Sequence, residues 1–531
     1  MSAEEQIFCF FVIGKKLRIT LAQRSAGKGA LRTTNYELRT TNYELMPKKI
    51  TIALLLFFLS TQIAVTQQTA TAQLQTPVTP TTKTICPAQL PSAVDAVTNR
   101  PEFRRVRWGI LVKNLADEQT LYHQDAEKYF NPASNTKLLT TAAALKQLGA
   151  DFRIRTSVYE DSDGVLRVVG RGDPSFKVPQ LQELAQQLRQ QGISQVKQLI
   201  ADDSYFQGEI VHPSWEWEDL AAYYGAPVNS LILNENASLF RVAPQTIGKP
   251  LQLQWDEPIE SYQWRVENNS VTTEKDESGF VAVSRGLKGP VLRIQGQMAV
   301  DSHPTVRAIA VFDPVQNFLR HFRQTLVKQG IFVGQMSNGT SGKNERELAA
   351  VESPPLSELL MEANINSNNL YAEALLRALA KQPLENNQTT ADAGLEVVES
   401  TLTQLGVDPT GYILVDGSGL SRKNLISPQA LVQTLQAMAK SPQAELFRAS
   451  LPVAGVSGTL RNRLLDTAAV GIVQAKTGTM TGVVSLSGYV NSLNYQPLAF
   501  SIIVNHSEQP ARVVRQSMDE IVVLLTQLQR C

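Results

Sequence analysis

The stretch Asn131-Pro132-Ala133-Ser134-Asn135-Thr136-Lys137 runs straight into LLTTAAALKQLGA, and no other feature constrains the fold as tightly. Apolar residues at 138, 139, 142, 143, 145 and 148 predict a buried helix, with Pro132 and Ser134 at its entry. In the first turn, Ser134 and Lys137 lie three residues apart and share a face, so the amine can reach the hydroxyl. Serine is a weak nucleophile until a base takes its proton. Lysine can be that base only where burial or another cation lowers its pKa. The spacing S-x-x-K also occurs at Ser25/Lys28 and Ser194/Lys197, so on this ground alone Ser134 reads equally as a helix cap.

Two more segments carry chemistry. Asn366-Ser367-Asn368-Asn369 breaks a helical pattern between LSELLMEANI and LYAEALLRALAKQ, which predicts a loop between helices that projects Ser367 and Asn369 into a cleft. Ser367 then reads as a proton relay to the leaving group and Asn369 as an amide partner for the substrate backbone. N-capping is the plain alternative, and Ser492-x-Asn494 has the same form. Lys476-Thr477-Gly478-Thr479 occurs once, between runs rich in Val and Ile that predict one strand of a hairpin. On an edge strand, Gly478 would admit substrate backbone, while Lys476, Thr477 and Thr479 would hold a carboxylate. The N–H groups of Thr479 and Ser134 would form an oxyanion hole. A solvated lysine before a turn is the competing interpretation.

In this order the three segments resemble the S-x-x-K, S-D-N and K-T-G set of penicillin-binding proteins and class A β-lactamases. The chain is most similar to the class C low-molecular-mass penicillin-binding proteins, the D-alanyl-D-alanine carboxypeptidase/endopeptidase group, whose members carry extra domains between the first two motifs. Here 233 positions separate Ser134 from Ser367. Gly172-Asp173-Pro174, Trp215-x-Trp217-x-Asp219 and Asp416-Gly417-Ser418-Gly419-Leu420-Ser421-Arg422 extend the resemblance over roughly 88–531. Asn368 departs from the Asp common at that position. The resemblance implies that Ser418 and Gly419 flank the site, and that Asp219 faces the cleft and contacts the amino group of the stem peptide's diamino acid.

The implied fold is α/β (α+β): a transpeptidase-like catalytic domain split into 88–157 and 348–531, around an insertion at 158–347. Segments such as VLRVVG, VAVSRG and VLRIQGQMAV predict a mainly β insertion, with a helix near 315–328. The implied activity is serine-type cleavage of peptidoglycan stem peptides through a Ser134 acyl-enzyme, with Lys137 as base. Lys476 would help keep Lys137 neutral by like-charge repulsion. β-Lactams would acylate the same serine. A β-lactamase or esterase on this scaffold, or a peptidoglycan-binding protein without catalysis, remains open at this point.

Composition narrows the partners. Length 531 and 43% hydrophobic content allow two or three domains, and 50 basic against 49 acidic residues give no field that would favour nucleic acid. Three cysteines without a CxxC pair and five scattered histidines predict no metal, and no cofactor is expected. Peripheral membrane association and homodimerisation both stay open.

Lys48 and Lys49 precede the apolar run ITIALLLFFL, and Ala70-Thr71-Ala72 fits signal peptidase, so 46–72 reads as an export signal to the periplasm or cell envelope. Residues 73–87 read as a linker. Upstream, LRTTNYE at 31–37 is repeated at 38–44, and 1–45 is expected to be a non-native extension. Cys86 and Cys531 would meet an oxidising compartment, where either a disulfide or two free thiols fits.

Overall fold

The computed structural model describes the backbone of residues 6–13, 16–24 and 31–38, and residues 84–531 apart from 287–288, 341–345, 381–382 and 386. The chain divides into two units at Thr81/Thr82. In the first, strands Gln6–Ile13, Lys16–Arg24 and Leu31–Leu38 pair as an antiparallel meander. The expected export signal at 46–72 and most of the expected linker lie outside the described residues.

The second unit is built on a five-stranded antiparallel sheet. Its spatial order is Val473–Met480, Val483–Val490, Leu498–Asn505, Arg107–Asn114 and Thr120–Gln124. Side chains alternate across a strand, and here both faces are covered. Ile110, Val112, Phe500, Ile502 and Val504 face one core with helices Leu90–Thr98 and Ala511–Thr526. Leu111, Ala499 and Ile503 face the other, with helices Thr136–Leu148 and Pro428–Ala439. This explains why VVSLSGYV and LAFSIIVN are buried at every position. Thr136–Leu148 is enclosed from Thr136 to Leu145, as its apolar pattern requires.

Between Ile154 and Ser353 the chain leaves this layer and returns. The crossing is fastened by Ser353 N–H to the Ile154 carbonyl at 2.8 Å, and by Ile154 N–H to Ser353 Oγ at 2.9 Å. Strands Phe332–Asn338, Gln195–Asp202, Val165–Val169, Arg155–Ser162 and Arg346–Glu352 form one mixed sheet. Helices Val178–Gln190 and Pro314–Lys328 pack with it. Pro314–Lys328 matches the expected helix. Val178–Gln190 was not expected, because its many glutamines hide the buried set Leu181, Leu184, Ala185 and Leu188 at helical spacing. Two three-stranded sheets follow around Phe240, Trp264, Leu292 and Ile294.

The chain ends meet. Cys86 and Cys531 form a disulfide with Cα atoms 5.7 Å apart, and Ile85 bridges Leu528 beside it. Among the described residues no helix is long and apolar enough to cross a membrane.

Candidate active site

Ser134 sits in a short 3-10 turn, Ala133–Asn135, that feeds the buried helix. Ala133 adopts φ 47°, a left-handed conformation that L-residues resist. The turn is pressed between two glycine-bearing segments. A Cβ on Gly419 would stand 1.9 Å from the Ala133 carbonyl oxygen, and one on Gly478 would stand 2.8 Å from that of Pro132. What Gly478 admits here is therefore the protein's own Ser134 turn.

Lys137 is fully buried, and its Nζ has three neighbours: Ser134 Oγ at 2.9 Å, Asn369 Oδ1 at 2.6 Å and the Ser418 carbonyl at 2.7 Å. The last two can only accept. A neutral amine has two N–H bonds and one lone pair, so both hydrogens are taken and the lone pair is left for the Ser134 hydroxyl. Burial lowers the Lys137 pKa to about 7, against the opposing pull of the Asp416 and Glu373 carboxylates. Lys476 was expected to depress Lys137. Desolvation is the leading cause at Lys137, and Lys476, also fully buried, is held well below the ordinary lysine value by desolvation first and by like-charge repulsion with Lys137 second.

Ser367 lies in the expected interhelical loop, at φ 60°, between Leu356–Ile365 and Asn369–Ala378. Its Oγ accepts from Lys476 Nζ at 2.8 Å. Capping of the second helix falls to Asn368, whose side chain accepts from Tyr371 N–H at 3.3 Å. Asn369, expected to meet the substrate backbone, is itself held by the protein at both ends of its amide. Its oxygen is engaged by Lys137, and its Nδ2 donates to the Tyr224 carbonyl at 2.8 Å.

Lys476-Thr477-Gly478-Thr479 lies on the sheet's edge strand, as its sequence predicts. The outer side of that strand is covered at its start, where Ala454 N–H donates to the Val473 carbonyl and Ala475 N–H to that of Pro452. By the period-two alternation, Thr477 and Thr479 point their amides to the same outer side, and the described residues add no backbone bond there. Thr477 Oγ1 donates to Thr459 Oγ1 at 2.8 Å, and Thr479 Oγ1 accepts from Arg515 at 3.1 Å.

The 416–421 loop wraps around buried carboxylates. Asp416 accepts from the N–H groups of Gly419 and Ser421 and from Trp215 Nε1, at 2.7, 2.6 and 2.9 Å. Glu373, fully buried and paired with Arg377 at 3.0 Å, accepts from the N–H groups of Gly417 and Ser418. Ser418 is buried and offers Lys137 its carbonyl, while Gly419 lies on the nucleophile turn. Asp219 is set apart from this cluster. Its Oδ1 accepts from Tyr224 O–H at 3.1 Å, which links it to Asn369 through Tyr224, and burial raises its pKa. The carboxylate Glu373 and the cations Arg377 and Arg515 were not singled out from sequence. Only the i, i+4 spacing of Glu373 and Arg377 hinted at a pair. Among the described residues no group of His, Cys, Asp or Glu is arranged to hold a metal.

The model of the D-Ala-D-Ala carboxypeptidase 3 (S13) family matches residues 90–528. The chain belongs to that family. Its D-alanyl-D-alanine carboxypeptidase relative from Actinomadura sp. (strain R39) is 34% identical, over 83% of this chain and 85% of that one. The penicillin-sensitive carboxypeptidase A of Dictyostelium discoideum is 33% identical, over 79% and 87%. Among solved structures, penicillin binding protein 4 (dacB) of Haemophilus influenzae superposes with a TM-score of 0.70 at 26% identity, covering 81% of this chain and 98% of that chain. A transpeptidase-like α/β fold and a serine peptidase family therefore support the carboxypeptidase reading over the β-lactamase or esterase and the non-catalytic alternatives.

Proposed function

We propose that this chain is a penicillin-sensitive D-alanyl-D-alanine carboxypeptidase/endopeptidase of peptidoglycan that works through an acyl-enzyme on Ser134. Lys137 takes the Ser134 proton as Oγ attacks the carbonyl of the D-Ala-D-Ala bond. The N–H groups of Ser134 and Thr479 receive the oxyanion. Ser367, bonded to Lys476, passes a proton to the departing amine, and water then releases the acyl group. Lys476 and the hydroxyls of Thr477 and Thr479 receive the carboxylate next to the scissile amide. Asp219 faces the diamino acid, and Ser418 and Gly419 frame the site as a backbone support.

The single observation that carries this reading is the three-partner environment of Lys137, which leaves its one lone pair for Ser134. The family's name and a relative's penicillin sensitivity support the substrate class and the inhibitor. The catalytic part is discontinuous, 88–157 with 348–531, and the enzyme works in the cell envelope after removal of 46–72. Intact-mass measurement with a labelled penicillin tests the core of the proposal. One adduct is expected on the wild type and none on Ser134→Ala; an adduct that persists in the variant moves the nucleophile elsewhere. N-terminal sequencing of the exported protein tests the leader, since a peptide from 1–72 in the mature enzyme contradicts its removal.

A further inference from the structure

The S-x-N loop is held from the inserted region at two points. Besides the bond from Asn369 to the Tyr224 carbonyl, Asn368 Nδ2 donates to Glu235 Oε2 at 2.8 Å. The two ends of the Asn368 amide thus do different work: its oxygen starts the helix at Tyr371, and its nitrogen ties that helix to the insertion. Backbone on both sides of the tie is left-handed. Ser367 has φ 60°, and Asn234, Glu235 and Asn236 have φ 50°, 58° and 49°. Conformations of this kind persist in non-glycine residues only where the surroundings fix them. Ser367 is also the residue whose hydroxyl receives Lys476.

We propose that Glu235 is a positioning residue for acylation: by accepting from Asn368 it fixes Ser367 and Asn369 against Lys476 and Lys137. The proposal rests on the reading of Ser134 as nucleophile. It also accounts for the departure at position 368. An amide can cap the helix and donate to Glu235 at once, whereas the ionised carboxylate of the S-D-N form can only accept. Around Glu235 stand Lys177, with Nζ 4.0 Å away, Glu362 and Tyr371, and with Glu235 the carboxylates Asp256, Glu257 and Glu260 line one cavity of 440 Å³. Burial raises the Glu235 pKa, and the bond from Asn368 and the charge of Lys177 oppose that rise and favour the ionised, accepting form.

Asn368→Asp separates the two jobs, because aspartate caps a helix as well as asparagine does but sets two carboxylates face to face. Relative to wild type at the same pH, this variant is expected to acylate with penicillin about tenfold more slowly at pH 8, with the deficit shrinking as pH falls and the pair takes up a proton. Adding Glu235→Gln should restore most of the rate at pH 8, since the glutamine amide donates back to the introduced carboxylate. Thermal unfolding midpoints for the panel show whether each variant folds. If Asn368→Asp is unstable, Glu235→Ala at its half-buried site tests the same tie: about a fivefold loss in acylation rate with little change in penicillin affinity. Ser134→Ala runs alongside. Label on that variant overturns the nucleophile and leaves Glu235 aside. With Ser134→Ala unlabelled, a wild-type rate for folded Asn368→Asp at pH 8, no rescue by Glu235→Gln, or an unchanged Glu235→Ala overturns the positioning role.

Discussion

Two sets of buried cations in this molecule follow opposite plans. In the inserted sheet, Arg167 lies between Asp161 and Asp202, at 3.1 and 2.9 Å, with all three side chains nearly enclosed. At the reaction centre, Lys137 and Lys476 are fully buried, and their hydrogen-bond partners are neutral: Ser134, Asn369 and the Ser418 carbonyl for one, Ser367 and the Thr477 carbonyl for the other. A guanidinium between two carboxylates keeps its charge permanently. An amine among neutral acceptors is free to lose its proton. Direct charge compensation is present where the fold needs a fixed cation and absent where the proposed chemistry needs a base, and Asp416 and Glu373 act on Lys137 from beyond its hydrogen-bond partners.

Four experiments break or sharpen this contrast. Lys137→Met should slow penicillin acylation on the order of 10⁴-fold or more, over about 5 kcal/mol of barrier, by stopped-flow or timed mass spectrometry. A rate within tenfold of wild type would show that the amine is not the base. Arg167→Met strands two buried carboxylates, so a stability loss of about 3–5 kcal/mol is expected in urea unfolding, with the acylation rate of the folded enzyme unchanged. A loss below about 1 kcal/mol would erase the difference between the two plans. Cys531→Ser removes the covalent closure of the two chain ends and should cost about 2–4 kcal/mol, again with no effect on acylation.

The smallest effect concerns pH. Protonated Lys137 has no lone pair, so the acylation rate should fall about tenfold per pH unit below a midpoint of about 7, and level off above it. Glu373 favours the protonated form, so Glu373→Gln should move that midpoint to lower pH. A midpoint that rises or stays put would mean that this carboxylate does not act on the base.

Ser134, Lys137, Ser367 and the 476–479 strand were legible in sequence because each belongs to a local pattern: a helix entry, a loop between helices, a strand in a hairpin. Asn369 and Gly478 were found, but their contacts with Lys137, Tyr224 and the Ser134 turn were not foreseen, since they depend on elements far away in sequence. Glu373, in the run LYAEALLR, looked like any helical glutamate, and only the fold brings the 416–421 loop over it. Glu235 carried no signal, because its value lies in a partner 133 residues ahead. In the insertion, strands were recognised from alternating Val, Ile and Leu, whereas the Gln-rich helix Val178–Gln190 was overlooked because its apolar stripe is narrow.

The bond between Cys86 and Cys531 closes a covalent loop across a sequence separation of 445. Any leash attached ahead of Cys86, whether a membrane tether or a fused protein, hands its tension to sulfur at that staple and to the far terminus at once. A pull between the two chain ends therefore runs through sulfur, and the catalytic sheet enclosed by the loop lies outside its line.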